Sequence, residues 1–130
     1  TIEKYNIESA ENAKVTIDDS GDIKENQTLY YPDKLKTADK YEYFLSGNYS
    51  QVLIDTDKDD DSTLVMVKDS YSNALVPFFC NDYDKIYMID LRYTNSSIFD
   101  NLEKIGSFTD FIFVYNEEKY MQDGHQYYLE

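Results

Sequence analysis

The chain has 130 residues, with 12 basic and 26 acidic side chains, a formal charge of −14 and a pI near 4.2. A field of that sign repels nucleic acid and anionic lipid, while 42% hydrophobic and 16% aromatic residues argue against wholesale disorder. One cysteine (Cys80) and one histidine (His125) exclude an internal disulfide, a cysteine zinc cage and a multi-histidine metal site, and no apolar run reaches the ~18 residues of a membrane helix.

Residues 1–28 form a polar, weakly patterned N-terminal segment. Within it Val15–Asp19 alternates like a short edge strand, and Asp18-Asp19-Ser20-Gly21-Asp22 carries turn chemistry. The stretch 29–46 is aromatic, with Pro32-Asp33 marking a turn or short helix start and Tyr41–Leu45 readable as helix or extended cover. Gln51–Thr56 reads as a strand and Asp57–Ser62 as an acidic loop. Thr63–Lys68 (TLVMVK) is an unbroken, β-branched run expected of a strand buried on both faces. Ala74, Leu75, Phe78 and Phe79 recur at helical spacing, with Pro77 set to kink or shorten the segment. Lys85–Leu91 and Asp110–Tyr115 read as two further buried strands. Between them Ser97–Ile105 reads as a helix ended by Gly106.

Strand–helix–strand–helix–strand over 63–115 predicts an α/β fold, a flavodoxin-like three-layer sandwich around a mostly parallel sheet. Residues 29–128 form this α/β domain, and 129–130 read as a cloning remnant. The start at Thr1 fits a piece cut from something longer. Ligands of such sheets bind outside the carboxyl ends of the strands, which here carry Asp69-Ser70, Asp90-Leu91-Arg92 and Tyr115-Asn116.

Ser70 is the leading nucleophile candidate, because a hydroxyl between a buried strand and a helix start meets backbone N–H groups suited to an oxyanion. Helix capping by Asp69 or Ser70 accounts for the same local pattern. Arg92, the sole arginine, suits an anionic sugar or acyl group, or pairing with Asp69 or Asp90. Asp123-Gly124-His125 offers a carboxylate–imidazole pair, with His125 as base and Asp123 as its orienter, or simply a surface histidine. The Asp55–Asp61 cluster lacks the glycine and final acid of a calcium loop and reads as a solvated turn. Cys80, within VPFFC, reads as a buried small hydrophobe. No metal or cofactor is expected.

Lys68-Asp69-Ser70-Tyr71-Ser72-Asn73-Ala74, followed by Val76-Pro77-Phe78, resembles the KDSYAN…PF segment of the DHHW family. Tyr83–Tyr87 and Asp90–Tyr93 resemble that family's next strand and its Asp-x-Arg-Tyr ending, and Tyr41–Asn48 resembles its upstream Y.FLGGN segment. The resemblance covers roughly residues 29–115. It implies an SGNH-like fold, here incomplete, related to alginate O-acetyltransferases, with Ser70 as acyl nucleophile and Gly47 and Asn48 near the oxyanion, although a turn is the default for that dipeptide. It also implies an extracellular or cell-envelope location, and a polysaccharide or acyl donor as partner. The family's Asp-His-His-Trp motif is absent: the chain has no tryptophan and no histidine before residue 125. Serine at its ordinary pKa needs an adjacent base. The expectation is therefore the C-terminal part of a longer envelope protein, inactive by itself. The alternative is a non-catalytic extracellular binding or scaffold module.

Overall fold

The computed structural model describes residues 2–122. In chain order, α1 (Glu8–Asn12), β1 (Lys14–Asp19) and β2 (Asp22–Gln27) are followed by 3-10 turns at Pro32–Lys36 and Lys40–Tyr43. Then come β3 (Gln51–Asp55), β4 (Thr63–Lys68), a 3-10 turn at Ser70–Ala74, α2 (Val76–Phe79) and β5 (Lys85–Ile89). The order ends with α3 (Ile98–Ile105), β6 (Asp110–Val114) and α4 (Glu117–Gln122).

All six strands join one sheet in the order β2-β1-β3-β5-β4-β6. β4 runs parallel to both of its neighbours, β5 and β6, as expected for 63–115. The sheet as a whole is mixed rather than mostly parallel, because β1–β2, β1–β3 and β3–β5 are antiparallel. Loop length explains this departure. A parallel return needs a crossover of a dozen or more residues. The β1–β2 connection has two, Ser20 and Gly21, both at positive φ as a tight hairpin requires. The short loop 56–62 likewise starts β4 at the sheet end where β3 stopped, so the two run in opposite directions. The strand at Val15–Asp19 is interior, with β2 outside it.

Alternation sorts the side chains onto two faces. Val15, Ile17, Val52, Ile54, Leu64, Met66, Ile86 and Met88 pack under α1, the 29–45 segment and α2. Val65, Val67, Ile89 and Leu91 pack with Ile98, Leu102 and Ile105 of α3 on the other face. The layers are thus sandwich-like, and β4 is buried along its whole length. β6 is not the third buried strand expected: as the edge it leaves Asp110 and Phe113 exposed. Pro77 lies in the first turn of α2, where its missing N–H costs nothing, and the helix is only four residues long. Ser97 and Asp100 form a reciprocal capping box at the start of α3, and Gly106 ends the helix at φ 82°.

Candidate functional site

At the carboxyl end of β4 the chain leaves the sheet through Asp69 into the 3-10 turn Ser70–Ala74. Asp69 is fully buried, and its carboxylate accepts from the N–H groups of Tyr71 (2.9 Å) and Asn116 (2.6 Å). Capping therefore falls to Asp69, which also ties the turn to the segment after β6. The Ser72 hydroxyl donates to the Val114 carbonyl (3.2 Å). The Tyr41 hydroxyl donates to the Tyr71 carbonyl (2.6 Å) and accepts from the Ala74 N–H (3.1 Å). Partial burial raises the Tyr41 pKa, which keeps the phenol protonated for this double role. Within this clamped turn Ser70 differs: it is half-buried, and its hydroxyl has no hydrogen-bond partner among the described residues.

Beneath the turn lies a buried polar network. Lys68 is 1% exposed, and its ammonium donates to Asn73 Oδ1 (2.9 Å), Asn48 Oδ1 (3.1 Å) and Asp90 Oδ2 (3.4 Å). Strand alternation puts Lys68 and Asp90 on the same face as their apolar neighbours Met66 and Met88, at the rim where that core ends. Asp90, also fully buried, holds Arg92 in a fork, with Nε to Oδ1 at 2.9 Å and Nη2 to Oδ2 at 2.6 Å. The Asn73 amide donates to the Gly47 carbonyl (3.0 Å) and to Asn48 Oδ1 (3.3 Å). Desolvation dominates the Lys68 environment and lowers its pKa to about 8, against the opposing pull of Asp90. At neutral pH the ammonium therefore stays mostly charged.

Asn48, Asp90 and Arg92 are thus linked through Lys68, two residues before Ser70. Of the two anionic partners considered for Arg92, Asp90 holds it by the fork, while the Asp69 carboxylate is taken by backbone N–H groups. Gly47 occupies a turn at φ 150°, preceded by Leu45 and Ser46 at positive φ, and Asn48 leaves that turn to reach Lys68. Asp123 and His125 lie outside the described residues. Lys68 and Asn73 were not singled out as site residues. Their only sequence signal was membership of the KDSYSN segment, since a lysine ending an apolar strand ordinarily reads as solvent-exposed. The acidic loop spends carboxylates locally: Asp55 accepts from the Asp57 N–H, and Asp60 from the Ser62 N–H. No cluster suited to a metal ion occurs among the described residues.

Two cavities lie at this end of the sheet, and Ser70, Asn48 and Arg92 line neither of them. One of about 470 Å³ lies beside the turn and is lined by Tyr71, Leu75, Val114 and Tyr115 among others. A more polar one of about 260 Å³ lies between the β1–β2 hairpin and residues 93–96, with Ser20, Ser50, Asn95, Asn101 and Lys104 in its wall. No helix among the described residues is long and apolar enough to cross a membrane.

No protein-family model matches the chain, and no curated protein matches it. Solved structures do. PatB1 of Bacillus cereus, solved with a sulfonyl adduct, superposes on 82% of this chain with a TM-score of 0.66 and 19% identity. A second structure of Bacillus cereus PatB1 gives 0.65 and 20% over the same share. A DHHW family protein from Eubacterium siraeum DSM 15702 covers 89% at 0.64 and 23% identity. This chain spans only 36–38% of each of those chains. At such identities the likeness is one of fold, and a DHHW family protein stands among the chain's structural neighbours.

Proposed function

We propose that this chain is part of a longer bacterial envelope protein that transfers or hydrolyses an acyl ester on a surface polysaccharide, with Ser70 as nucleophile. The carrying observation is the contrast at the end of β4: Lys68, Asp69, Ser72 and Asn73 are buried and bonded, whereas Ser70 is half-buried and its hydroxyl has no hydrogen-bond partner among the described residues. A hydroxyl set in a hydrogen-bonded frame and not engaged by it is left for the base that nucleophilic attack requires. In the proposed step Ser70 Oγ bonds to the acyl carbon while its proton passes to a base. The carbonyl oxygen becomes an oxyanion facing the Ser70 N–H and the Asn48 amide, and the leaving alcohol departs with a proton from the same base. An imidazole from the family's Asp-His pair, in a segment beyond this chain, is the proposed base. His125 with Asp123 is the substitute within the chain. Arg92, at the same rim, would bind an anionic sugar or acyl group. Likeness to PatB1 solved with a sulfonyl adduct supports the assignment, since sulfonylation requires a nucleophilic side chain.

The test is covalent labelling with a fluorophosphonate, read by peptide mass spectrometry, on a protein that includes the upstream segment. Modification at Ser70, abolished by Ser70→Ala, is expected. An unlabelled, folded protein carrying the upstream Asp-His pair would refute the assignment. One observation favours a non-catalytic scaffold instead: the described residues contain no histidine, and the amine nearest along the chain, Lys68, has all three N–H bonds committed. A Ser70→Ala strain with an unchanged cell-surface phenotype would support that second role.

A further inference from the structure

We infer that Lys68 is a positioning residue, whose buried ammonium fixes the Asn48 carboxamide with its oxygen turned inward and its NH2 left as a free donor at the Ser70 rim. This rests on the proposed role of Asn48 at the oxyanion. Donor and acceptor inventory carries the inference. A lysine ammonium has three donors and no acceptor, so the Asn48 atom 3.1 Å from it must be the oxygen. The same rule turns Asn73 Oδ1 to Lys68, which aims the Asn73 NH2 at the Gly47 carbonyl and again at Asn48 Oδ1. Both contacts to Asn48 fall on its oxygen, and its NH2 has no acceptor among the described residues. One charge thus sets two amide orientations and joins the 44–50 loop to the strand and turn that flank Ser70.

Lys68 does not serve as the base for Ser70. Its three N–H bonds point at three oxygens, and a lone pair arises only after a proton is lost. The charged groups around it are Asp90 from the end of β5, Arg92 behind Asp90, and Asp69 following on its own strand; Asn48 and Asn73 face it as neutral partners. Deprotonation removes the charge and leaves two N–H donors and a lone pair facing three oxygens, so one contact is lost and the hold on the amides weakens as pH rises past the Lys68 pKa.

The experiment is NMR on the intact chain with ¹⁵N-asparagine and ¹³C-lysine labels, from pH 6 to 10, comparing wild type with Lys68→Met and Lys68→Arg. The Asn48 NH2 resonances are expected to move with the Lys68 signal, at a midpoint near 8. That movement should vanish in Lys68→Met, and Lys68→Arg should restore the low-pH position without the titration. Asn48 resonances that stay fixed while Lys68 titrates would overturn the inference. If Lys68 keeps its proton throughout, the variants at pH 7 decide: unchanged Asn48 resonances in folded Lys68→Met overturn it. If Lys68→Met fails to fold, the wild-type titration and Lys68→Arg decide. Fluorophosphonate labelling is a separate readout: failed labelling with Asn48 coupling intact sinks acyl transfer alone, and lost coupling with labelling intact sinks the Lys68 role alone.

Discussion

Asp90→Asn tests the buried charge network most directly. The substitution keeps shape but removes the anion that faces Lys68 at 3.4 Å and Arg92 at 2.6 Å. The two cations are not equally able to respond. The Arg92 side chain is 17% exposed and can turn toward water, whereas that of Lys68 is 1% exposed and cannot. An uncompensated buried charge costs ~3–5 kcal/mol, a large share of the ~5–15 kcal/mol that holds a domain folded. Lys68 limits the damage by shedding its proton, because losing the carboxylate drops its pKa further below the already lowered value of about 8. The pH dependence has a definite sign. Since the folded pKa lies below the ordinary 10.5, the native state binds fewer protons than the unfolded chain between about 8 and 10.5, so the Lys68 contribution to stability rises with pH across that window. In Asp90→Asn the window opens at lower pH, so the deficit should be largest near pH 6 and shrink by pH 9. Urea unfolding followed by far-ultraviolet circular dichroism measures both points. A deficit below ~1 kcal/mol at pH 6, or one that does not narrow with pH, would refute the assignment of a charged, buried Lys68 paired with Asp90.

Other outcomes follow from single contacts. Asp69→Ala leaves the N–H groups of Tyr71 and Asn116 without their buried acceptor, so a loss of about 2–5 kcal/mol is expected in urea unfolding; a loss under 1 kcal/mol would contradict the tether. Ser97→Ala removes one half of the α3 capping box and should cost ~1 kcal/mol, seen as a lower Tm, whereas an unchanged Tm would mean that the cap adds nothing. Cys80 is 1% exposed, with its thiol pushed up to about 12 by burial. It should react with a disulfide reagent far more slowly in native buffer than in denaturant, and equal rates would show that the α2 face is open.

Local chemistry was legible where one residue dictates one conformation. The run at 63–68, the helix read over 97–105, its stop at Gly106 and the turn at Ser20-Gly21 depend on side-chain branching, hydrogen bonding and φ alone, and each stands where its sequence puts it, with Ser97 as the cap of α3. So does the parallel arrangement of β4 with β5 and β6, because crossovers of that length leave few alternatives. Strand order and the antiparallel half of the sheet were not legible, since neither periodicity nor composition says which edge a returning strand will choose. Lys68 shows the same limit at the candidate site. A lysine at a strand end carries no mark of burial. Only the packed structure brings Asn48, Asn73 and Asp90 to within 3.4 Å of its ammonium, from a loop, a turn and a neighbouring strand. The sequence by itself determined a hydroxyl at the end of a buried strand. Tertiary packing decided which groups surround it, because desolvated charges find partners by distance in space, whatever their separation along the chain.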